Sequence, residues 1–381
     1  MRIVGLMSGT SIDGIDAALV EVTGEGYNIG VSMIRAATYP YEAVLRSHLL
    51  QVCAGQPLSM EALSRLDDAV ADAFAEAALA IADSDPVDLV ASHGQTIYHR
   101  PPSAAQLGYS LQIGRGSRIS IRTGWPTVSN FRVADIALGG QGAPLVPPVD
   151  ACLLSHPQRY RCVQNLGGIG NVAYLPAWDR AQSSHFPEQI QGWDTGPANV
   201  LIDWAVTEFS DGVQTYDRGG RWAAQGQIHT NLVDQWLDHP FFSQPPPKST
   251  GRELFGADYA RQCWRTAQAN GLSQADFLAS LTELTAASIE RGYRRFLPQL
   301  PDEVLLCGGG SQNAYLRKRL QTRLPETQLV TTSDVGLSAD YKEAVAFAIL
   351  GFWRWHRLPG NLPAVTGARS RCLLGEIALP Q

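Results

Sequence analysis

The sequence lacks most of the features that mark a metal, disulfide or membrane protein. Its six cysteines (Cys53, Cys152, Cys162, Cys263, Cys307, Cys372) include no C-x-x-C pair. That spacing fits neither a zinc site nor a dense disulfide framework, and reduced thiols are expected. No stretch of about 18 uncharged apolar residues exists, so no membrane span is expected. A signal peptide is not expected either: Gly9 to Asp16 breaks any apolar run, and no small-residue cleavage site follows. Positive charge is not in excess, since the formal net charge is -6, which argues against a nucleic-acid binder with its basic surface. Any bound phosphate must therefore be held locally. Low-complexity segments and repeats of about 20–50 residues are absent as well. The expectation is a soluble, cytoplasmic protein. At 381 residues, 45% of them hydrophobic and 17% charged, the chain is ordinary in composition but long for one core, so two lobes are expected.

What the sequence does have is glycine in particular places. "MRIVGLMSGTSIDGIDAALVEV" reads as two strands, 2–7 and 15–22, around a turn that holds hydroxyls, carboxylates and glycines. A hairpin needs only a short Asn-Gly or Asp-Gly turn, so this one is over-equipped. "RCVQNLGGIGNVAYL" (161–175) has the same plan of strand, glycine turn and strand. Glycine lets backbone N–H groups approach a ligand, and successive N–H groups in a tight turn form an anion-binding concavity. Two such turns, one at the start of each lobe, could hold a polyphosphate. Ser8, Thr10 and Ser11 would add hydroxyls, and Asp13 could hold magnesium through water. Neither turn is a P-loop, because no lysine follows it, and Gly167, Gly168 and Gly170 miss the dinucleotide-binding spacing. Each turn taken alone is more often structural than phosphate-binding; their pairing on separate lobes favours the phosphate reading.

Other candidates are distributed along the chain. Asp194 in "GWDTGPAN" lies near the end of an apolar strand with a helix predicted from about residue 198, where catalytic carboxylates sit in α/β folds; it could also be a capping residue. Gly308, Gly309 and Gly310 separate the predicted strand 303–307 from a predicted helix 312–324 with Asn313 in its first turn, a junction suited to a nucleotide's sugar or phosphate or simply a tight helix entry. His93, Gln95 and His99 fall in "SHGQTIYHRP", read as a short strand running into a polar loop; the histidine spacing and the missing carboxylate speak against zinc. Arg132 and Asp135 could clamp an anion or sugar, or pair with each other at a helix start. Glu343 opens the apolar helix 338–357, where it would favour the helix dipole or face sugar hydroxyls. Lys248, Arg252 and Glu253 form a charged loop expected to be solvated. The Gly/Pro-rich loop 138–150 is the candidate lobe boundary.

Ten blocks in order give these candidates a common context: "GLMSGTSIDGIDAALV", "SHGQTIYH", "LQIG", "NFRVADIALGGQGAPLVP", "NLGGIGNVAYL", "GWDTGPAN", "PPKSTGRELF", "LCGGGSQNAYL", "DYKEAVAFAILG" and "LPAVTGA". The sequence resembles the anhydro-N-acetylmuramic acid kinase family of the sugar-kinase/heat-shock-ATPase/actin superfamily, almost from end to end, with Ile12 and Tyr98 at positions that the family pattern leaves loose. The resemblance implies an α/β, two-lobed actin-like ATPase fold of duplicated ribonuclease-H-like lobes with a central nucleotide cleft. Lobe I would be 1–137 with 338–381, and lobe II 138–337. It implies ATP as cofactor, held by Gly9, Thr10, Ser11, Ile12, Asp13, Gly14, Ile15 and Asp16, by Gly167, Gly168, Gly170 and Asn171, and by Gly308, Gly309, Gly310 and Asn313.

The implied reaction opens 1,6-anhydro-N-acetylmuramic acid with water and phosphorylates the freed 6-oxygen, giving N-acetylmuramic acid 6-phosphate and ADP. Asp194 would be the base, with Gln95, Arg132, Asp135 and Glu343 contacting the sugar and Mg2+ near Asp13. A homodimer is implied, without nucleic-acid or membrane partners. Alternatives are a kinase for another anhydro-sugar such as levoglucosan, a chaperone-like ATPase, disfavoured by a chain about the length of the ATPase core, and a non-catalytic ATP-binding sensor.

Overall fold

The computed structural model describes every residue except 10, 11, 101, 103–105, 180–188 and 381. The described residues fall into two compact units. The first contains Met1–Leu153 and the C-terminal segment from Tyr341; the second lies within the span from Leu154 to Asp340. The loop 138–150 therefore belongs to the first unit, and the division falls after it. Buried bonds explain why: Gly142 N donates to Asp135 Oδ2 at 2.9 Å, Gln141 N to the Thr366 carbonyl at 2.8 Å, and Lys342 Nζ to both oxygens of Asp150 at 2.8 and 2.7 Å.

The first unit is built on a mixed sheet. Its strands are β1 (Arg2–Ser8), β2 (Ile15–Glu25), β3 (Asn28–Tyr39), β4 (Leu89–Arg100), β5 (Tyr109–Ile113) and β6 (Thr127–Ser129), with a C-terminal strand at Glu376–Ala378. β1, β2 and β3 pair antiparallel in succession, while β4 lies parallel to β1 and β6 parallel to β4. The expected polar loop after β4 is strand: Thr96 through Arg100 continue β4 and pair with β5, past a register shift. Helix Met60–Ala82 forms as its Ala- and Leu-rich sequence dictates. Ser59 caps it by accepting from Ala62 N. Its residues Leu66, Val70, Phe74, Ala78 and Ile81, spaced three and four apart, pack on Leu6, Leu19 and Val90.

Helix Lys342–Trp355 is buried nearly all round. It can lie close to β1 because residue 5 is glycine: a Cβ there would meet the Ala344 carbonyl oxygen.

The second unit repeats the plan with β7 (Arg161–Leu166), β8 (Ile169–Leu175), β9 (Gln191–Pro197), β10 (Glu303–Cys307) and β11 (Gln328–Thr331). Again the first three strands pair antiparallel in succession, and β10 is parallel to both β7 and β11. Helix Gln274–Phe296 starts with a reciprocal Ser273–Asp276 cap and buries Phe277, Leu281 and Leu284 among the aromatic residues of this unit. Strands β3, β2, β1, β4 and β6 of the first sheet thus run in the same order as β9, β8, β7, β10 and β11 of the second, with only the second of each five antiparallel to the other four. The first sheet adds β5, antiparallel to β4, and the strand Glu376–Ala378, antiparallel to β6. This is the duplicated ribonuclease-H-like arrangement of actin-like ATPases. No disulfide joins the six cysteines, and among the described residues no helix is long and apolar enough to cross a membrane.

Candidate active site

In the second unit the residue expected to be the base, Asp194, is held by a neighbouring loop and raised by burial. The residue sits within β9, opposite Asn171 of β8, so it does not cap a helix. Asn199 stands at the start of helix Val200–Phe209, and its side chain makes no capping bond but donates from Nδ2 to the Leu166 carbonyl at 2.7 Å. Two residues of one loop grip Asp194: its N–H donates to the Lys248 carbonyl at 3.0 Å, and Thr250 N donates to Oδ2 at 2.8 Å. Burial pushes its carboxyl up to about 7; the Thr250 N–H opposes the rise, Glu253 adds to it and Lys248 opposes it. A carboxylate poised there can exchange a proton near neutral pH.

The glycine turns that follow β7 and β10 lie at the same end of the sheet. The Gly167 and Gly168 carbonyls accept from the N–H groups of Ala198, Asn199 and Val200, each at 3.0 Å. Since a trans peptide sets C=O and N–H on opposite sides, the N–H groups of Gly168 and Ile169 face away from that helix. The turn after β10 lies against the same hairpin. Gly308 has φ +75°, and a Cβ on it would stand 2.3 Å from Asn165 Oδ1; one on Gly310 would stand 2.7 Å from Leu166 Cβ. Gly309 has nothing within 4 Å of its Cβ position. Asn313 lies just before helix Ala314–Arg323 and caps it, accepting from Leu316 N at 3.0 Å. Gly170 faces Thr195, and buried Gln164 braces the hairpin by donating to the Asn171 carbonyl at 3.0 Å.

The first unit's glycine turn is braced by a glutamine too. Gln95 is fully buried. Its Oε1 accepts from Ser8 Oγ at 2.7 Å and Tyr41 Oη at 3.2 Å, and its Nε2 donates to the Gly9 carbonyl at 3.2 Å. Ser8 Oγ lies 2.8 Å from the Gly14 carbonyl. Ile12 holds φ +56°, a conformation that a β-branched residue resists, with its side chain in the core and its carbonyl accepting from Arg46 Nε at 2.8 Å. Ile15 is buried at the start of β2. Asp13 is exposed and pairs with Arg46 at 3.3 Å, while Asp16 accepts from Thr38 Oγ1 at 2.6 Å. Thr10 and Ser11 lie outside the described residues.

Beyond that turn lies a buried charge cluster. Arg132 donates to His93 Nε2 from Nε at 3.1 Å and to the Gly142 carbonyl from Nη1 at 2.8 Å. A guanidinium can only donate, so His93 carries its proton on Nδ1, 2.9 Å from the Gly94 carbonyl. Burial, with Arg132 adding to it, keeps His93 neutral, well below the usual imidazole range. Burial also lowers Arg132 to about 10, against the charges of Glu343 and Asp135. Glu343 is raised by burial; Lys342 and Arg132 pull it down, while Asp16 and Asp150 push it up. The cluster is a set of fixed donors and acceptors suited to a polar ligand.

Comparison with known proteins then decides the family. The family model described as "Anhydro-N-acetylmuramic acid kinase" matches residues 1–380. The chain belongs to the anhydro-N-acetylmuramic acid kinase family. A relative of that name from Synechocystis sp. is 59% identical over 100% of this chain and 99% of its own length. Another, from Acaryochloris marina, is 58% identical over 100% of both chains. A solved structure, the activator of 2-hydroxyisocaproyl-CoA dehydratase from Clostridium difficile with bound ADPNP, covers 92% of this chain and 94% of its own at 10% identity, with a TM-score of 0.42.

In this member of the anhydro-N-acetylmuramic acid kinase family, two expected sugar contacts have other employment. Gln95 spends its amide on the turn. Asp135 is fully buried and accepts from Gly142 N, Asn361 Nδ2 at 2.8 Å and Thr366 Oγ1 at 2.7 Å, so it pins the glycine-rich loop. Both are satisfied within the chain because a buried amide or carboxylate without partners would be costly. The structure brings Arg132 and Glu343 into one cluster with His93, and the loop expected to be solvated buries Lys248. Sequence reasoning missed the Lys248–Thr250 grip, the Asp150–Lys342 pair and Asp203, a carboxyl in helix Val200–Phe209 that burial raises to about 7 against the charge of Arg252. The apolar "FF" and prolines before Lys248 were the available signal.

Proposed function

We propose that this chain converts 1,6-anhydro-N-acetylmuramic acid, water and ATP into N-acetylmuramic acid 6-phosphate and ADP. The observation that carries the reading is Asp194: a half-buried carboxylate beside a glycine hairpin, held by a backbone N–H and raised by burial to about 7. Family membership supports the substrate. In this reading Asp194 removes a proton from water as the water oxygen bonds to the anomeric carbon. The bond from that carbon to the 6-oxygen breaks, and the 6-oxygen takes the γ-phosphoryl group.

The turn 9–14, the Gly167–Gly168 hairpin and the Gly308–Gly310 turn would hold ATP, with Asn313 capping the helix that follows. Arg132 and Glu343 would contact the sugar, with Gln95 and Asp135 holding the segments around them. Asp13 fits magnesium because its carboxylate is exposed and, among the described residues, pairs with Arg46 at 3.3 Å, and such ions need one or two carboxylates beside phosphate and water. When bound, magnesium would neutralise charge on the phosphates. The setting would be cytoplasmic recycling of peptidoglycan sugars, by a homodimer.

An ADP-release assay tests this, with 1,6-anhydro-N-acetylmuramic acid, N-acetylmuramic acid and levoglucosan run side by side. Turnover with the anhydro-muramic sugar alone is the expected result. Activity on levoglucosan alone would move the substrate, and silence on all three would leave an ATP-binding sensor.

A further inference from the structure

The segment Lys248–Thr250 is an unusual strap. Its first carbonyl takes the Asp194 N–H and its last N–H donates to the Asp194 carboxylate, so it acts as a short extra edge against β9. Something must hold such a strap in register, because it carries no strand of its own among the described residues. The Lys248 side chain does this. Its Nζ donates to the Phe241 carbonyl at 3.1 Å and lies 4.6 Å from the Phe241 ring centre and 5.0 Å from that of Phe296. The residue is 8% exposed.

A methionine would fill this aromatic cage without the cost of burying a charge, so the lysine calls for a reason beyond packing. Arg291 and Arg295, on helix Gln274–Phe296, both repel the ammonium, and burial with that repulsion lowers it to about 8. The negative group facing it is Asp194. Asp194 in turn faces Lys248 and, on the same loop, Glu253.

We propose that Lys248 is a positioning residue for Asp194, anchoring the strap that grips the carboxylate and setting a buried positive charge opposite it. The inference rests on the reading of Asp194 as the base. It separates two jobs that one loop performs: backbone at residues 248 and 250 fixes where the carboxylate points, and the ammonium favours its ionised, proton-accepting form. Glu253 works against the second job.

The test is the pH dependence of kcat for ADP release in the wild-type chain and in Lys248→Met, Phe296→Leu and Asp194→Asn. Loss of the ammonium removes an attraction for the ionised carboxylate, so the acid limb of Lys248→Met should move to higher pH by roughly one unit. Turnover would then fall about tenfold on the acid side and recover towards wild type at high pH, with KM for the sugar little changed. Phe296→Leu opens the cage to water, weakens the field of Lys248, and should move the limb the same way by less. It serves if Lys248→Met fails to fold. An acid limb left unmoved in the variants that fold overturns the inference, whether or not turnover falls at every pH. Near-normal turnover in Asp194→Asn overturns the base assignment itself, and with it the premise; an inactive Asp194→Asn beside unmoved limbs overturns the positioning role alone.

Discussion

Asp194 should weaken the fold that it serves. Its carboxyl ordinarily titrates at 3.8 and is raised by burial to about 7 in the folded chain. Between these values the unfolded chain gives up the proton and the folded chain keeps it, so stability is highest below the unfolded value and declines as pH rises towards 7. At roughly 1.36 kcal/mol per unit, the rise corresponds to at most about 4 kcal/mol. Asp194→Asn cannot ionise and keeps an oxygen for the Thr250 N–H. It should therefore match the wild type near pH ~4 and exceed it increasingly up to pH ~7, by several degrees in thermal midpoint. Above that the difference should level off. Taking the difference between the two proteins cancels Asp203, which burial also raises to about 7. The assay is a set of thermal melts of both proteins across that pH range, with turnover measured alongside and expected to fall about 10²–10⁴-fold in the variant. A stability difference that stays constant with pH would refute the argument that burial holds this carboxyl up.

Two further outcomes follow from the geometry. Lys342→Met leaves Asp150 buried without its bidentate partner and should cost about 3–5 kcal/mol by denaturant titration, with much of it recovered when Asp150 is also made apolar. Gly308→Ala forces a side chain at φ +75° against Asn165 and should lower the melting point, whereas Gly309→Ala enters open space and should leave it unchanged; if Gly309 faces ATP, only the KM for ATP rises.

The hairpins, helix Met60–Ala82 and strand β10 were legible in the sequence because apolar period and turn chemistry agree there. Strand β3 was not: its residues are mostly exposed or half-buried, so no alternation marks it, and only pairing along β2 makes it a strand. The continuation of β4 was misread for a related reason, since "GQTIYHR" is polar and becomes strand by pairing with β5. Within the site, the glycine turns and Asp194 carry their own local signals. The fates of Gln95, Asp135 and Lys248 depend on partners far away in sequence, such as Ser8, Asn361 and Phe296, and no local pattern encodes these. Polar residues in a motif can serve the ligand or the backbone that cradles it, and only burial tells the two apart.

The close fit of Ala344 over Gly5 also bears on biosynthesis. Strand β1 leaves the ribosome early, but the helix that covers it follows only after the whole second unit has been made. At ~5–20 residues per second the wait is on the order of ten to forty seconds. For that time one face of the first sheet must stay uncovered while a complete second unit folds behind it. The nascent first half is therefore the stage at which this protein should most need a chaperone.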